Sequence, residues 1–188
     1  MSARTFLALD VDEPCRKHLA SVCERLGQTD AKVRWVRPRN LHVTLRFLGD
    51  VPDSGTADVC AIVAKVAGGI EPFDFDVRRI ICVPPAGKLR MFWAGVEDPS
   101  GRMARLYDKL NAELACLELH VEHRSFQPHI TVGRVKFVGN ARSLRCQAEA
   151  FADESFGVQH AEEVVIYTSR LTPSGPVYTS IARAELRC

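Results

Sequence analysis

Nowhere in these 188 residues does an apolar run approach the roughly 18–20 needed to span a bilayer. The opening stretch MSARTFLALDVDE turns acidic too early for a secretory signal. The seven cysteines form no C-x-x-C pair, and their odd, scattered placement fits reduced packing residues better than a disulfide frame or a zinc site. A formal net charge of only +2 excludes a nucleic-acid coat or membrane-surface protein argued from charge alone. No linker, charge block or low-complexity tract divides the chain. What remains is a cytoplasmic soluble protein, residues 1–188 forming one domain, expected to be a monomer, with length enough to bury a sizeable core.

What is present reads as alternating strands and helices. Residues 4–9 (RTFLAL) look like a strand. Residues 12–26 carry Cys15, Leu19, Val22, Cys23 and Leu26 on one helical face, with Asp12 and Pro14 as a start and Gly27 as a stop. Strands are expected at 33–36 and 41–48, the latter broken by Gly49 and Pro52. A helix over 54–67 ends at Gly68-Gly69. Alternation from Phe73 predicts a strand to Val83, and 89–96 a partner strand. The longest helix, 100–118, starts at Asp98-Pro99-Ser100 and buries Met103, Leu106, Leu110, Leu114 and Leu117. A short strand at 119–121, a strand after Pro128, a helix at 141–149 and strands at 156–160, 162–171 and 177–186 complete the pattern. The last two strands join through a hairpin turn at Pro173-Ser174-Gly175-Pro176.

One phrase occurs twice. His42-Val43-Thr44-Leu45 and His129-Ile130-Thr131-Val132 both read His-apolar-Thr-apolar, and both lie in strand-like surroundings. Six His and eight Thr in this chain would by chance give only about 0.26 His-x-Thr pairs. Alternate side chains of a strand share a face, so each His and Thr point one way and the aliphatic pair points into a core. The strand–helix–strand–helix order recurs in 4–67 and 89–149, with an offset of 87 between the two histidines. The expected fold is α+β and bilobal. Two antiparallel sheets carry helices outside, and two intertwined, pseudo-two-fold-related lobes bring one dyad each to a central cleft.

An imidazole titrates near neutrality, and two of them on opposite sides of a substrate supply an acid and a base in one displacement. Thr44 and Thr131 would donate to oxygens whose charge develops in the transition state. This constellation suits phosphodiester cleavage without a metal or cofactor. Arg46, at His+4, shares the His face of a regular strand and is a candidate phosphate cation. Arg134, at His+5, faces away unless a bulge at Gly133 re-aims it. His18, His120, His123 and His160 have no paired Thr and are assigned no direct role. Trp35, Phe47, Phe92, Trp93, Tyr167 and Tyr178 are read first as core, with base stacking the alternative.

The run from Trp35 to Gly49 (WVRPRNLHVTLRFLG) resembles the two-histidine (2H) phosphoesterases, and within them the RNA 2′,3′-cyclic phosphodiesterases, historically called 2′-5′ RNA ligases. Phe126 to Lys136, Arg4 to Asp10, Arg90 to Val96 and Tyr167 to Tyr178 fit the same pattern. The resemblance implies hydrolysis of cyclic phosphate ends of RNA, or of nucleotides, to 2′-phosphomonoesters. It implies His42 as proton donor to the leaving 3′ oxygen, His129 as proton acceptor from water, and Thr44 and Thr131 as phosphate holders. Relatives commonly carry Arg where this chain has Gln127, which cannot neutralise phosphate charge. Two alternatives remain: joining of RNA ends through a 2′-5′ bond, and a groove that binds RNA ends without turnover.

Overall fold

A computed structural model describes residues 2–28, 31–117, 119, 125–137, 141–173 and 175–187. Strand β1 (Ser2–Asp10) leads into helix α1 (Glu13–Leu26), then β2 (Lys32–Trp35) and β3 (His42–Pro52). Helix α2 (Thr56–Ala67), β4 (Phe73–Val83), β5 (Met91–Glu97) and α3 (Arg102–Leu114) come next. The second dyad opens β6 (His129–Phe137), and α4 (Ala141–Glu149), β7 (Ser155–Ala161), β8 (Glu163–Thr172) and β9 (Gly175–Glu185) finish the chain.

Local signals set the helix ends. The Asp12 carboxylate accepts from the Cys15 amide at 2.8 Å, satisfying a donor that the first turn of α1 leaves open. Asp98 does the same for Met103 at 2.7 Å before α3. Along α3, Met103, Leu106, Leu110 and Leu114 are almost fully buried, a stripe at helical spacing in which each side chain stabilises the fold by about 2 kcal/mol. Cys15 and Cys23 lie in the core, where burial pushes both thiols up to about 12. They pack as small apolar groups. The helix expected over 100–118 is shorter than expected, 13 residues against 14 in α1: it ends at Leu114, and 115–117 turn away from helical geometry. Residues 120 and 121 of the expected strand at 119–121 lie outside those described.

Two four-stranded halves are present, β7-β4-β5-β6 and β3-β1-β8-β9. They are not separate sheets. β3 and β6 pair antiparallel through Val43 and Ile130, which joins the halves into one strongly curled sheet, and β2 adds to β6. The junction therefore falls inside the two dyads. Strand β3 also runs past the expected break at Gly49. Pairing with β1 continues to Pro52, and Gly49 takes the left-handed φ of 75° within it. Each helix between paired strands packs beneath the opposite half. α1 lies against β6, β7 and α4, while α3 lies against α2 and β3.

Candidate active site

With Val43 opposite Ile130 in antiparallel register, His42 comes opposite Thr131 and Thr44 comes opposite His129. The dyads cross. Val43 and Ile130 are fully buried toward the helices, and the four polar residues line a cleft of about 770 Å³ on the other face. Side chains diagonally related across such a pair sit about 7–8 Å apart, a span that accommodates one phosphate group between the two rings.

Both rings are held in the same way. His42 donates Nδ1–H to the Asn40 carbonyl at 2.7 Å, and His129 donates Nδ1–H to the Gln127 carbonyl at 2.7 Å. The acceptor is the residue two before the histidine in each half, an equivalence that the 87-residue offset preserves. This leaves Nε2 of each neutral ring as the proton-accepting nitrogen. Nε2 of His42 lies 3.0 Å from the Thr44 hydroxyl. The surroundings of the rings differ. His42 is wedged among Phe6 (centroids 4.9 Å apart), Tyr178 (5.4 Å, edge-on) and Tyr167 (6.4 Å), whereas His129 stacks flat on Trp93 at 3.7 Å. Burial lowers the His42 pKa below the usual 6.5. The Asn40 carbonyl and the charge of Asp10 act against that shift, while His129 and Arg16 reinforce it. Asp10 is the β1 residue directly across from His42, and it accepts from the Tyr167 hydroxyl at 2.8 Å.

The two candidate arginines exchange places relative to a regular strand. In β3, Thr44 pairs with Ala8 and Arg46 pairs with Leu7, so Leu45 is an extra, bulged residue. Beyond it the alternation is inverted: Leu45 and Phe47 line the cleft, and Arg46 points among the helices. Arg46 is 4 % exposed and donates to the carbonyls of Leu110 and Asn111 at 3.3 Å each, near the C-terminal end of α3. The expectation that Arg46 faces the substrate is corrected by this bulge. In β6, Thr131 pairs with Trp93 and Gly133 with Phe92, so Val132 is the extra residue, 87 positions after Leu45. That bulge turns Arg134 into the cleft, where its guanidinium contacts the Met91 sulfur at 3.3 Å. Gly133 gives room to Trp35, since a Cβ there would lie 2.6 Å from the indole.

Comparison with known proteins agrees with this repeat. The model of the family described as LigT like Phosphoesterase matches twice, over residues 9–93 and 95–178. The chain belongs to that family. An RNA 2′,3′-cyclic phosphodiesterase of Methanothermobacter thermautotrophicus is 35% identical over 96% of this chain and 97% of its own length. One from Thermotoga maritima is 33% identical over 93% and 91%. Among solved structures, TT0787 of Thermus thermophilus superposes with a TM-score of 0.83 at 27% identity, covering 98% of both chains. Escherichia coli LigT complexed with 3′-AMP superposes with a TM-score of 0.79 at 21% identity over 99% of both, a likeness of fold.

In this LigT-like phosphoesterase the cleft holds more than the motifs foretold. Arg4, Arg34, Arg37, Arg134 and Lys136 line it, and no carboxylate does among the described residues. Basic residues scattered over β1, β2, the segment after it and β6 carry no linear signal of convergence. Phe47, Trp93 and Tyr178 line the cleft instead of the core, while Phe92 is fully buried as expected. Tyr107 and Phe126 stack at 4.2 Å on the opposite rim. The Gln127 side chain is exposed and lines the cleft. His18 pairs with Glu154 at 2.9 Å and His160 with Asp74 at 2.5 Å, both away from the cleft. His120 and His123 lie outside the described residues.

Proposed function

We propose that this phosphoesterase hydrolyses 2′,3′-cyclic phosphate ends of RNA to 2′-phosphomonoesters, without a metal ion. The observation that carries the reading is the crossed register of the two dyads, which sets two imidazoles across one cleft with both Nδ1 atoms committed to main-chain carbonyls. His129 Nε2 takes a proton from water as the water oxygen bonds to phosphorus. His42, as imidazolium, passes its Nε2 proton to the 3′ oxygen as the P–O3′ bond breaks. Each proton transfer contributes 10²–10⁴ in rate, about 3–5 kcal/mol of barrier. Thr44 and Thr131 donate to the non-bridging oxygens, and Arg134 balances their charge.

His42 must hold a proton despite its burial. Three features act toward that: the Asn40 carbonyl, the nearby Asp10 carboxylate and the anionic phosphate itself. The five cations of the cleft support an RNA end over a lone cyclic nucleotide, because they exceed what one phosphate needs. No helix among the described residues is long and apolar enough to cross a membrane. We assign the enzyme to the cytoplasm as a single-domain monomer.

The test is incubation with the four nucleoside 2′,3′-cyclic monophosphates and a cyclic-ended oligonucleotide in EDTA, with the product isomer identified. A 2′-phosphate product, a bell-shaped pH–rate profile and loss of turnover in His42→Ala and His129→Ala are expected. Chelator-sensitive turnover restored by a metal would overturn the mechanism. Unchanged kcat in both histidine variants would overturn the site.

A further inference from the structure

We propose that Asn40 is a positioning residue for His42. Its main-chain carbonyl holds the imidazole, and its side-chain amide locks the β8–β9 hairpin that walls the ring. This deepens, and rests on, the proton-transfer role proposed above for His42.

Asn40 closes the short 3-10 turn Pro38–Asn40 before β3, and it is one of four polar or charged residues buried among those described, at 7% exposure. A buried amide needs partners. Its Nδ2 donates to the Pro176 carbonyl at 3.0 Å, across 136 positions of sequence, while its own carbonyl accepts from His42 Nδ1 at 2.7 Å. Two residues beyond Pro176 stands Tyr178, whose ring meets His42 edge-on at 5.4 Å and 83°. One residue therefore fixes both the tautomer of the ring and the aromatic wall against it. The hairpin end also passes close to Arg34: Gly175 takes a left-handed φ of 118°, and a Cβ there would lie 2.8 Å from the Arg34 guanidinium. The other half works differently. Gln127 supplies the matching carbonyl, but its side chain is exposed, and the wall over His129 is Trp93, carried by the neighbouring strand β5. The wall of the first dyad is tied through a buried side-chain amide, and that of the second is built on a neighbouring strand.

Asn40→Ala and Asn40→Asp would be assayed on a 2′,3′-cyclic nucleotide across pH. Melting temperature and the long-range ¹H–¹⁵N spectrum of the imidazoles would be measured alongside. Asp keeps the shape but presents a second acceptor to the Pro176 carbonyl. We expect kcat to fall on the order of 10- to 100-fold in both variants, as for a reacting group displaced by a fraction of an ångström. KM should change by less than about 3-fold. In Asn40→Ala the alkaline limb, which reports the acid His42, should move to lower pH, since a weakened Nδ1–H···O bond destabilises the imidazolium, whereas in Asn40→Asp the added carboxylate pulls the limb the other way. Asp10, Arg16, His129, Tyr167 and Tyr178 also face His42 and are untouched. In the spectrum, the His42 Nδ1–H tautomer should lose population, because the carbonyl that holds it remains but is no longer anchored through the side chain, while His129 keeps its own.

A folded Asn40→Ala with an unshifted limb and an unchanged His42 tautomer would overturn the assignment, whatever its rate. Should Asn40 variants fail to fold, Gly175→Ala puts a side chain on a left-handed φ of 118°, which strains the hairpin end beside Pro176 and leaves Asn40 intact. It should shift the same limb in the direction expected of Asn40→Ala, and an unshifted limb there also overturns the proposal. Inactive His42→Ala beside a wild-type profile in Asn40→Ala would remove only this inference. Active His42→Ala would remove the catalytic reading beneath it.

Discussion

Arg46 and Arg134 show how little a residue's type says about its work. Both are arginines just past a His-x-Thr dyad, yet one braces α3 from inside and the other faces the cleft. Arg134→Ala should lower kcat/KM for cyclic phosphates about 10- to 100-fold by removing one charge-assisted contact, with an unchanged melting temperature. Arg46→Met should do the reverse, costing about 2 kcal/mol of stability and leaving kcat/KM of the folded enzyme near wild type. Denaturant unfolding and steady-state kinetics on both variants check the split, and a matched pattern in the two would refute it. His42 makes a prediction about acid. Its pKa in the folded chain lies below the value near 6.5 of the unfolded chain, so the unfolded state binds the proton more readily. The stability from its neutral form is therefore complete above about pH 6.5 and declines as pH falls from there toward the folded pKa. Replacing it in His42→Asn should flatten the melting-temperature curve over that interval. Parallel curves for variant and wild type would contradict this.

At the scale of the element, the bulges at Leu45 and Val132 decide which side chains reach substrate. The two bulges are equivalent, so what differs beyond the threonines is the residue that the same inversion turns to the cleft: Phe47 in one half and Arg134, 87 positions later, in the other. After Thr44 the cleft receives the exposed Phe47, backed by the buried Leu45, and after Thr131 it receives Arg134, a charge. Gly133 is the hinge of the second arrangement. Gly133→Ala forces a methyl to within 2.6 Å of Trp35, which is itself stacked on the buried Phe92 at 5.6 Å. Overpacking of this kind costs about 1–3 kcal/mol. Because the strain falls on the bulge, KM for substrate should also rise, which a thermal melt with parallel kinetics will register. A variant that is destabilised but binds as wild type would mean that Arg134 is aimed by something other than this bulge.

For the whole molecule, the strand order carries the function. Among the described residues a single ladder pair, Val43 with Ile130, joins β3 to β6, and the two His-x-Thr dyads flank that seam. The swapped helices α1 and α3 hold it closed, each leaving one half to pack beneath the other. Charge is also organised at this scale. A chain of net charge +2 gathers five cations into one cleft. Affinity for a cyclic-ended oligonucleotide should therefore fall more steeply with salt than affinity for a cyclic mononucleotide, by a log–log slope of about −0.7 for each further phosphate engaged. Equal salt slopes for the two substrates would show that the cations do not touch the RNA strand.

The amphipathic stripes of α1 and α3, the alternation of β4 and the paired His-x-Thr phrases are local patterns with periods of 3.6 or 2, so the order of residues alone determined them. Cys15, Leu19 and Leu26 had to face a core, and His42 had to share a face with Thr44. The choice of Arg134 over Arg46 as the cleft cation was decided only by tertiary structure, as was the convergence of Arg4, Arg34 and Lys136. A bulge is a relation between two strands: Leu45 is one residue too many only when counted against Leu7 and Ala8 across the ladder, and Val132 only against Phe92 and Trp93. Parity read along one strand has no access to that count.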